Sequence, residues 1–104
     1  MYYTYVLWSE KSQKFYIGYT ADLKRRLSDH KNNKGHTTSR MDNPQLIFYE
    51  GFISKEDALR REAYFKTAKG KTSLRFIVRD SIKNIAESNA SPSSSLVQDI
   101  RFSF

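Results

Sequence analysis

Two tyrosines, an arginine, a histidine and a glutamate stand at spacings that could assemble a site for cutting a phosphodiester. Tyr5 closes the run Tyr3-Thr4-Tyr5, Tyr16 opens the run Tyr16-Ile17-Gly18, and ten residues separate them. Arg26 and His30 follow four residues apart, and Glu62 stands later in a partly apolar segment. A phenol can exchange a proton, a guanidinium can neutralise a phosphate and a carboxylate can hold a hard cation. The residue types alone decide nothing, because the seven tyrosines of this chain also make good packing residues for strands. What matters is whether the elements carrying these residues bring them together.

Residues 2–8 are rich in aromatic and β-branched side chains, which predicts a strand. Residues 9–14 are polar and turn-like, and residues 15–20 predict a second strand, so the chain opens on a hairpin. If partner indices sum to 21, Tyr5 lies opposite Tyr16 and both hydroxyls emerge on one face. A one-residue slip would separate them. Thr20 is placed to cap a helix running to about residue 31, with Asp22 in its first turn. Residues 32–43 read as a polar loop containing Gly35, followed by Pro44. Residues 45–53 predict a third strand. Ser54-Lys55-Glu56-Asp57 approximates a capping box for a second helix ending before Gly70. A third helix is expected from about residue 72, with Leu74, Ile77, Val78, Ile82 and Ile85 on its apolar side. Phe76-Ile77-Val78 would also suit a short strand.

Helix geometry sharpens the candidates. At about 100° per residue, with Leu59 at zero, Ala63 falls near ~40°, Ala58 near ~260°, Phe65 near ~240° and Glu62 near ~300°. Glu62 therefore sits within the inward arc and needs a cation nearby. That cation is either a metal ion or an internal partner such as Arg26. On the first helix, with Leu23 at zero, Arg26 falls near ~300° and His30 near ~340°, beside the apolar stripe that includes Leu27. Lys24 and Arg25 point elsewhere and read as surface charge or phosphate contacts. Lys71, Arg75, Arg79 and Lys83 recur every four residues. They form either a ridge tracking a phosphate backbone or the solvated side of an amphipathic helix.

One domain of about 86 residues is expected, followed by a Ser-rich tail over 87–104, too poor in apolar surface to fold alone. Ile100, Phe102 and Phe104 alternate in that tail, so its end could dock as an added strand. The net charge is +7, and residues 22–83 hold fifteen Lys/Arg against eight Asp/Glu. Such an excess within the folded part points to a polyanion, nucleic acid first. There is no cysteine, which fits a reducing, cytoplasmic setting. No apolar run is long enough to span a membrane, and the first residues lack the basic region and cleavage site of a signal peptide. His30 and His36 have no zinc-type partners. No P-loop or nucleophile elbow is present. A lone carboxylate suits one weakly held hard ion, magnesium or manganese.

In this order and spacing the motifs resemble the GIY-YIG nuclease superfamily. The resemblance is to the small stand-alone bacterial members that look like the N-terminal nuclease domain of excinuclease C. It covers residues 2–80. Tyr3-Thr4-Tyr5 stands in the GIY place, and Tyr16-Ile17-Gly18 is the YIG triplet intact. Thr20-Ala21-Asp22-Leu23-Lys24-Arg25-Arg26-Leu27 with His30 resembles the arginine helix, and Ala58-Leu59-Arg60-Arg61-Glu62 the segment bearing the metal-binding glutamate. Gly35-His36-Thr37-Thr38-Ser39-Arg40 and Phe65-Lys66-Thr67-Ala68-Lys69-Gly70 are similar to segments of the small members. The resemblance implies an α+β domain of α/β composition, a three-stranded antiparallel sheet flanked by about three helices. It implies Tyr5 as general base, Tyr16 positioning the water, Arg26 stabilising the transition state, His30 assisting and Glu62 holding one divalent ion. Lys24, Arg25, Arg40, Lys69, Lys71, Arg75 and Arg79 are the expected DNA contacts. Two departures stand out. Tyr3 and Thr4 replace the glycine and isoleucine of the first triplet, and the asparagine that many members carry has only Asn84 as a distant counterpart.

The leading expectation is a metal-dependent DNA endonuclease, structure-selective on branched or nicked DNA and serving repair or recombination. The alternative is a nucleic-acid-binding module of the same fold with little cleavage. A third is a basic protein-interaction domain with the tail as docking peptide. A protein partner or homodimer would supply targeting in so small a domain.

Overall fold

The computed structural model describes residues 1–31 and 43–89. The elements are β1 (Tyr2–Ser9), β2 (Lys14–Thr20), α1 (Leu23–Lys31), β3 (Gln45–Phe52), α2 (Lys55–Phe65), α3 (Ala68–Ile77) and α4 (Arg79–Asn89). The three strands form one antiparallel sheet in the order β2-β1-β3. The fold is the expected α+β type, with four helices among the described residues instead of about three.

β1 is central, and every residue from Thr4 through Ser9 is buried. Its side chains alternate between two cores, as the strand period requires. Tyr5 and Leu7 pack with Leu23 of α1 on one face. Val6 packs with Ile17, Phe65, Leu74 and Val78 on the other. On that second face Thr4 donates its hydroxyl hydrogen to the Ala58 carbonyl of α2 at 2.7 Å. One helix thus covers the tyrosine face and the later helices cover its reverse.

The hairpin register differs from the expectation. Tyr5 pairs with Gly18 and Leu7 with Tyr16, so partner indices sum to 23. A sum of 21 would leave Glu10-Lys11 as a two-residue turn, which favours positive φ at both positions and residues such as Asn-Gly. The observed turn extends to Gln13, where φ is 56° and the amide donates to the Ser9 carbonyl at 2.7 Å. A shift of two residues preserves the face, so Tyr5 and Tyr16 remain on the same side.

The expected cap of α1 moves by two residues. Asp22, not Thr20, accepts from the Arg25 amide at 3.2 Å, while the Thr20 hydroxyl accepts from the Asp22 amide at 3.0 Å. At α2, Ser54 holds the cap position without a side-chain cap bond; its hydroxyl donates to Glu56 at 3.0 Å instead.

The expected long second helix is two helices. α2 stops at Phe65, and Thr67 starts α3 by accepting from the Gly70 amide. Gly70 is therefore an interior residue of α3, not a terminator. A Cβ there would run into the Tyr64 carbonyl oxygen, so α3 can approach the end of α2 only through glycine. A second break at Val78 separates α3 from α4. The alternative of a strand over residues 76–78 is excluded: Phe76 and Ile77 end α3, and Val78 is its C-cap. The loop residues 32–42, including His36 and Arg40, and the tail residues 90–104 lie outside the described residues.

Candidate active site

Four of the five expected site residues converge on one phenol. The Tyr5 ring is 1% exposed. Its hydroxyl lies 2.8 Å from His30 Nε2 and accepts a hydrogen bond from Arg26 Nε at 3.2 Å. Arginine can only donate, which leaves the phenolic hydrogen free to point at the imidazole lone pair. Tyr16 closes the group: its ring centroid is 6.4 Å from that of Tyr5 and 5.3 Å from that of His30. Tyr16 and Arg26 are half-buried, so the cluster opens toward solvent on their side.

Local structure explains this placement. Arg26 and His30 are one helical turn apart on α1, whose Leu23 is buried beneath them. Gly18 lies opposite Tyr5 across the hairpin. A Cβ at Gly18 would stand 2.5 Å from the Tyr5 hydroxyl oxygen, so the ring crosses the sheet over a residue with no side chain. The YIG glycine is thus a seat for the tyrosine, a role that the isolated glycine does not disclose without its strand partner.

The electrostatics follow from burial and the guanidinium. Burial pushes the Tyr5 hydroxyl up to about 12, against the hydrogen bond from Arg26; the neighbouring Tyr16 and Glu62 add to the rise. Burial also holds His30 below its ordinary value, helped by the Arg26 charge and partly offset by Asp29. At neutral pH the resting cluster is therefore a neutral phenol, a neutral imidazole and a fixed guanidinium.

Glu62 lies within electrostatic reach of Tyr5. Its side chain is 21% exposed and its partner is Lys66, at 3.3 Å, not Arg26. Lys66 follows at i+4, a spacing from which the pair could have been expected. The inward arc of α2 is rotated from the expected one: Ala58 and Phe65 are buried, whereas Leu59 and Ala63 are exposed. Glu62 sits at the edge of that arc, which gives its carboxylate access to water. A further pair has no signature in sequence spacing. Tyr3 and Tyr49 meet edge to face at 6.2 Å, Tyr49 is paired directly with Tyr5, and it is 41% exposed. The bulky residue in the glycine place of the first triplet is thereby part of an aromatic ledge beside Tyr5.

The expected DNA contacts are scattered more widely. Lys24 and Arg25 are exposed on α1, and Lys69 and Lys71 are exposed on the first turn of α3. The regular ridge is interrupted, because the break at Val78 puts Arg79 and Lys83 on a different helix from Lys71 and Arg75. Arg75 lies over the Phe15 ring at 5.5 Å. Arg79 lies over Phe76 at 4.2 Å and donates to its carbonyl at 2.7 Å. Asn84 is exposed on α4.

With this geometry in place, comparison with known proteins defines the class. A model of the GIY-YIG catalytic domain matches residues 1–75, and the chain belongs to that family of nuclease domains. It is 39% identical over 84 residues to a UPF0213 protein of Streptococcus pneumoniae, covering 80% of this chain and 84% of that protein. A UPF0213 protein of Pediococcus acidilactici is 33% identical over 84 residues, covering 78% and 85% respectively. The solution structure of a UPF0213 protein from Bacillus halodurans is 33% identical, covers 74% of this chain and 85% of that one, and superposes with a TM-score of 0.48. No helix among the described residues is long and apolar enough to cross a membrane.

Proposed function

We propose that the protein is an endonuclease that hydrolyses DNA phosphodiester bonds with one divalent ion, acting on branched or nicked DNA in repair or recombination. One observation carries this reading: Tyr5, Tyr16, Arg26 and His30 meet at a single buried hydroxyl, with Glu62 in electrostatic reach, inside a GIY-YIG domain.

The donor set fits a hard ion. Among the described residues no three His, Cys, Asp or Glu cluster as a closed metal centre. A lone carboxylate leaves most positions to water and substrate oxygens, the regime of magnesium or manganese rather than structural zinc. Glu62 would hold the ion, and its present partner Lys66 is more than half exposed, so the pair is weak and displaceable. When bound, such an ion supplies positive charge to the phosphate and to the leaving oxygen.

The chain's own residues account for the proton and the charge. A phenol near 12 is a poor base by itself, so Tyr5 takes the proton of the attacking water only as it passes its own to His30. His30 is suited to receive it, being neutral and 2.8 Å away. Tyr16, half-exposed at the rim, positions the water. Arg26 stays charged throughout and stabilises the charge that builds on the phosphoryl oxygens. Lys24, Arg25, Lys69 and Lys71 engage the flanking backbone, and the affinity they supply falls with salt.

The test is cleavage of nicked, branched and linear DNA with magnesium or manganese, beside Glu62→Ala. Wild-type cleavage that needs the ion, lowered about 10³-fold or more in the variant, is the expected result, since an ion on the phosphate supplies several kcal/mol. Binding to DNA without metal-dependent cleavage on any of these substrates would instead leave a nucleic-acid-binding module.

A pH profile tests the proton path. His30 must be neutral to accept, so cleavage is expected to hold through neutral pH and to fall about tenfold per unit only below the lowered His30 value. Stability moves the same way. The unfolded histidine binds its proton first, so stability is full above about 6.5 and declines as pH falls through the folded value. Replacing His30 by Gln should remove that acidic limb. A limb that persists unchanged in this variant would remove His30 from the path.

A further inference from the structure

Two adjacent residues of β1 face different helices. Tyr5 packs toward α1, and Thr4, on the reverse of the sheet, meets α2. The Thr4 hydroxyl donates to the Ala58 carbonyl at 2.7 Å, with both residues fully buried. In the interior of an α-helix that carbonyl also takes the amide four positions on, which is that of Glu62. A carbonyl oxygen has two lone pairs, so one acceptor serves strand and helix together. Across the sheet Thr4 is paired with Glu50 of β3. Glu50 holds Arg61, the residue before Glu62, by an ion pair of 2.7 Å. The Arg61 guanidinium lies in turn 4.3 Å from the centre of the buried Phe65 ring. Paired residues of β1 and β3 thus grip α2 one turn before Glu62 and immediately before it.

We propose that Thr4 and Glu50 are positioning residues, a two-point clamp that sets where α2 presents the Glu62 carboxylate relative to the Tyr5 hydroxyl. The role rests on the endonuclease reading, in which Glu62 holds the ion and Tyr5 takes the proton of water. Ion and base act on one phosphate, and an error of about 1 Å in such a placement can cost ~10²-fold in rate. Tyr5 and α2 nevertheless belong to separate cores on opposite faces of the sheet. Apolar packing is non-directional and leaves a helix free to slide or roll by small amounts. The Thr4 bond fixes the height of α2 along β1, and the Arg61 contact fixes its rotation. Isoleucine, the residue of the first triplet that Thr4 replaces, could fill the space but could not donate. The clamp spares the Glu62 carboxylate, whose side chain stays 21% exposed and whose charge is felt at the Tyr5 hydroxyl.

Thr4→Val keeps the branched shape and removes the donor, whereas Thr4→Ser keeps the donor. Valine regains by apolar burial what the lost bond contributed, so urea unfolding should change little. A local shift of the Ala58–Glu62 turn that leaves residue 4 covered has no such offset. Native-state hydrogen exchange of the metal-free protein reads that shift. In Thr4→Val the Arg61 and Glu62 amides should exchange about five- to tenfold faster, while those of Leu7 and Leu74 hold their rates, and Thr4→Ser should restore the wild-type pattern. Glu50→Ala should give a smaller acceleration at the same amides, about threefold, because its ion pair is about a third exposed. Single-turnover cleavage at saturating DNA and metal should fall about tenfold or more in Thr4→Val and return in Thr4→Ser, with DNA affinity unchanged. Exchange that accelerates evenly over the domain, or not at all at Glu62, would overturn the clamp, as would wild-type cleavage by Thr4→Val. Absence of cleavage by the wild type would instead bring down the endonuclease reading, and the exchange comparison would still decide whether Thr4 and Glu50 hold α2.

Discussion

Tyr5→Phe should lower cleavage about 10³-fold while leaving the chain folded. The ring remains over Gly18, and only the oxygen is lost. That oxygen is bonded to both Arg26 and His30, so its removal breaks the proposed proton path without touching the Glu62 carboxylate. Losing a positioned base is worth about 10²–10⁴ in rate. The stability loss is smaller, about 1–2 kcal/mol, because a buried hydrogen bond contributes about 1 kcal/mol net and the site is partly open to water. Single-turnover cleavage and urea unfolding on the same preparation separate the two quantities. Alkaline unfolding adds a second readout. The unfolded phenol loses its proton near 10 and the folded one at about 12, so wild-type stability is full below pH 10 and declines as pH rises toward 12. The phenylalanine variant lacks this contribution. Cleavage at the wild-type rate in Tyr5→Phe would place the chemistry elsewhere.

Gly70→Ala should destabilise the domain by more than about 3 kcal/mol, a large part of the 5–15 kcal/mol that holds a typical domain together. The added methyl would meet the Tyr64 carbonyl oxygen, the Tyr64 carbonyl carbon at 2.6 Å and the Phe65 Cα at 2.9 Å. All three are main chain, so no rotamer change relieves the contact. α3 would have to move off α2, and Leu74 and Phe65 would part in the core they share. Alanine is the better helix former by about 1 kcal/mol, so a propensity argument predicts the opposite sign. Urea or thermal unfolding decides between them, and a variant as stable as wild type would mean that the two helices can separate freely.

Much of the fold was legible because its elements obey short-range rules. The aromatic run at residues 2–8, the polar turn and the Leu23–Leu27 stripe each announce one element. The unreadable parts are those fixed by contacts across the sheet or between helices. The register was misplaced by two residues because it depends on where Gln13 accepts a positive φ, not on which residues alternate. At β3 the pairing skips between Val6 and Leu7, so Ile47 and Phe48 both turn toward the same core. Strict alternation cannot represent that bulge. The break before α3 was hidden because Gly70 looks like an end when it is a point of close approach. For the site, the inward positions of Arg26 and His30 were readable from helical spacing. That of Glu62 was only roughly so, since the real inward arc centres on Ala58 and Phe65. Its pairing with Lys66 instead of Arg26 reflects how far α1 and α2 stand on opposite sides of the sheet.

The Gly18 seat ties the assembly of the site to the closing of the hairpin. Tyr5 reaches His30 and Arg26 by crossing the one position on β2 that has no side chain. Sliding the hairpin by two residues would put Tyr16 or Thr20 under the ring and lift its hydroxyl away. The reactive group is therefore completed only when the strands have zipped in register from Tyr3 to Ser9. A chain still emerging, or caught in a slipped pairing, carries Tyr5, Tyr16, Arg26 and His30 without bringing them together. The lack of a side chain at Gly18 thereby makes the correct hairpin register a condition for assembling the cluster.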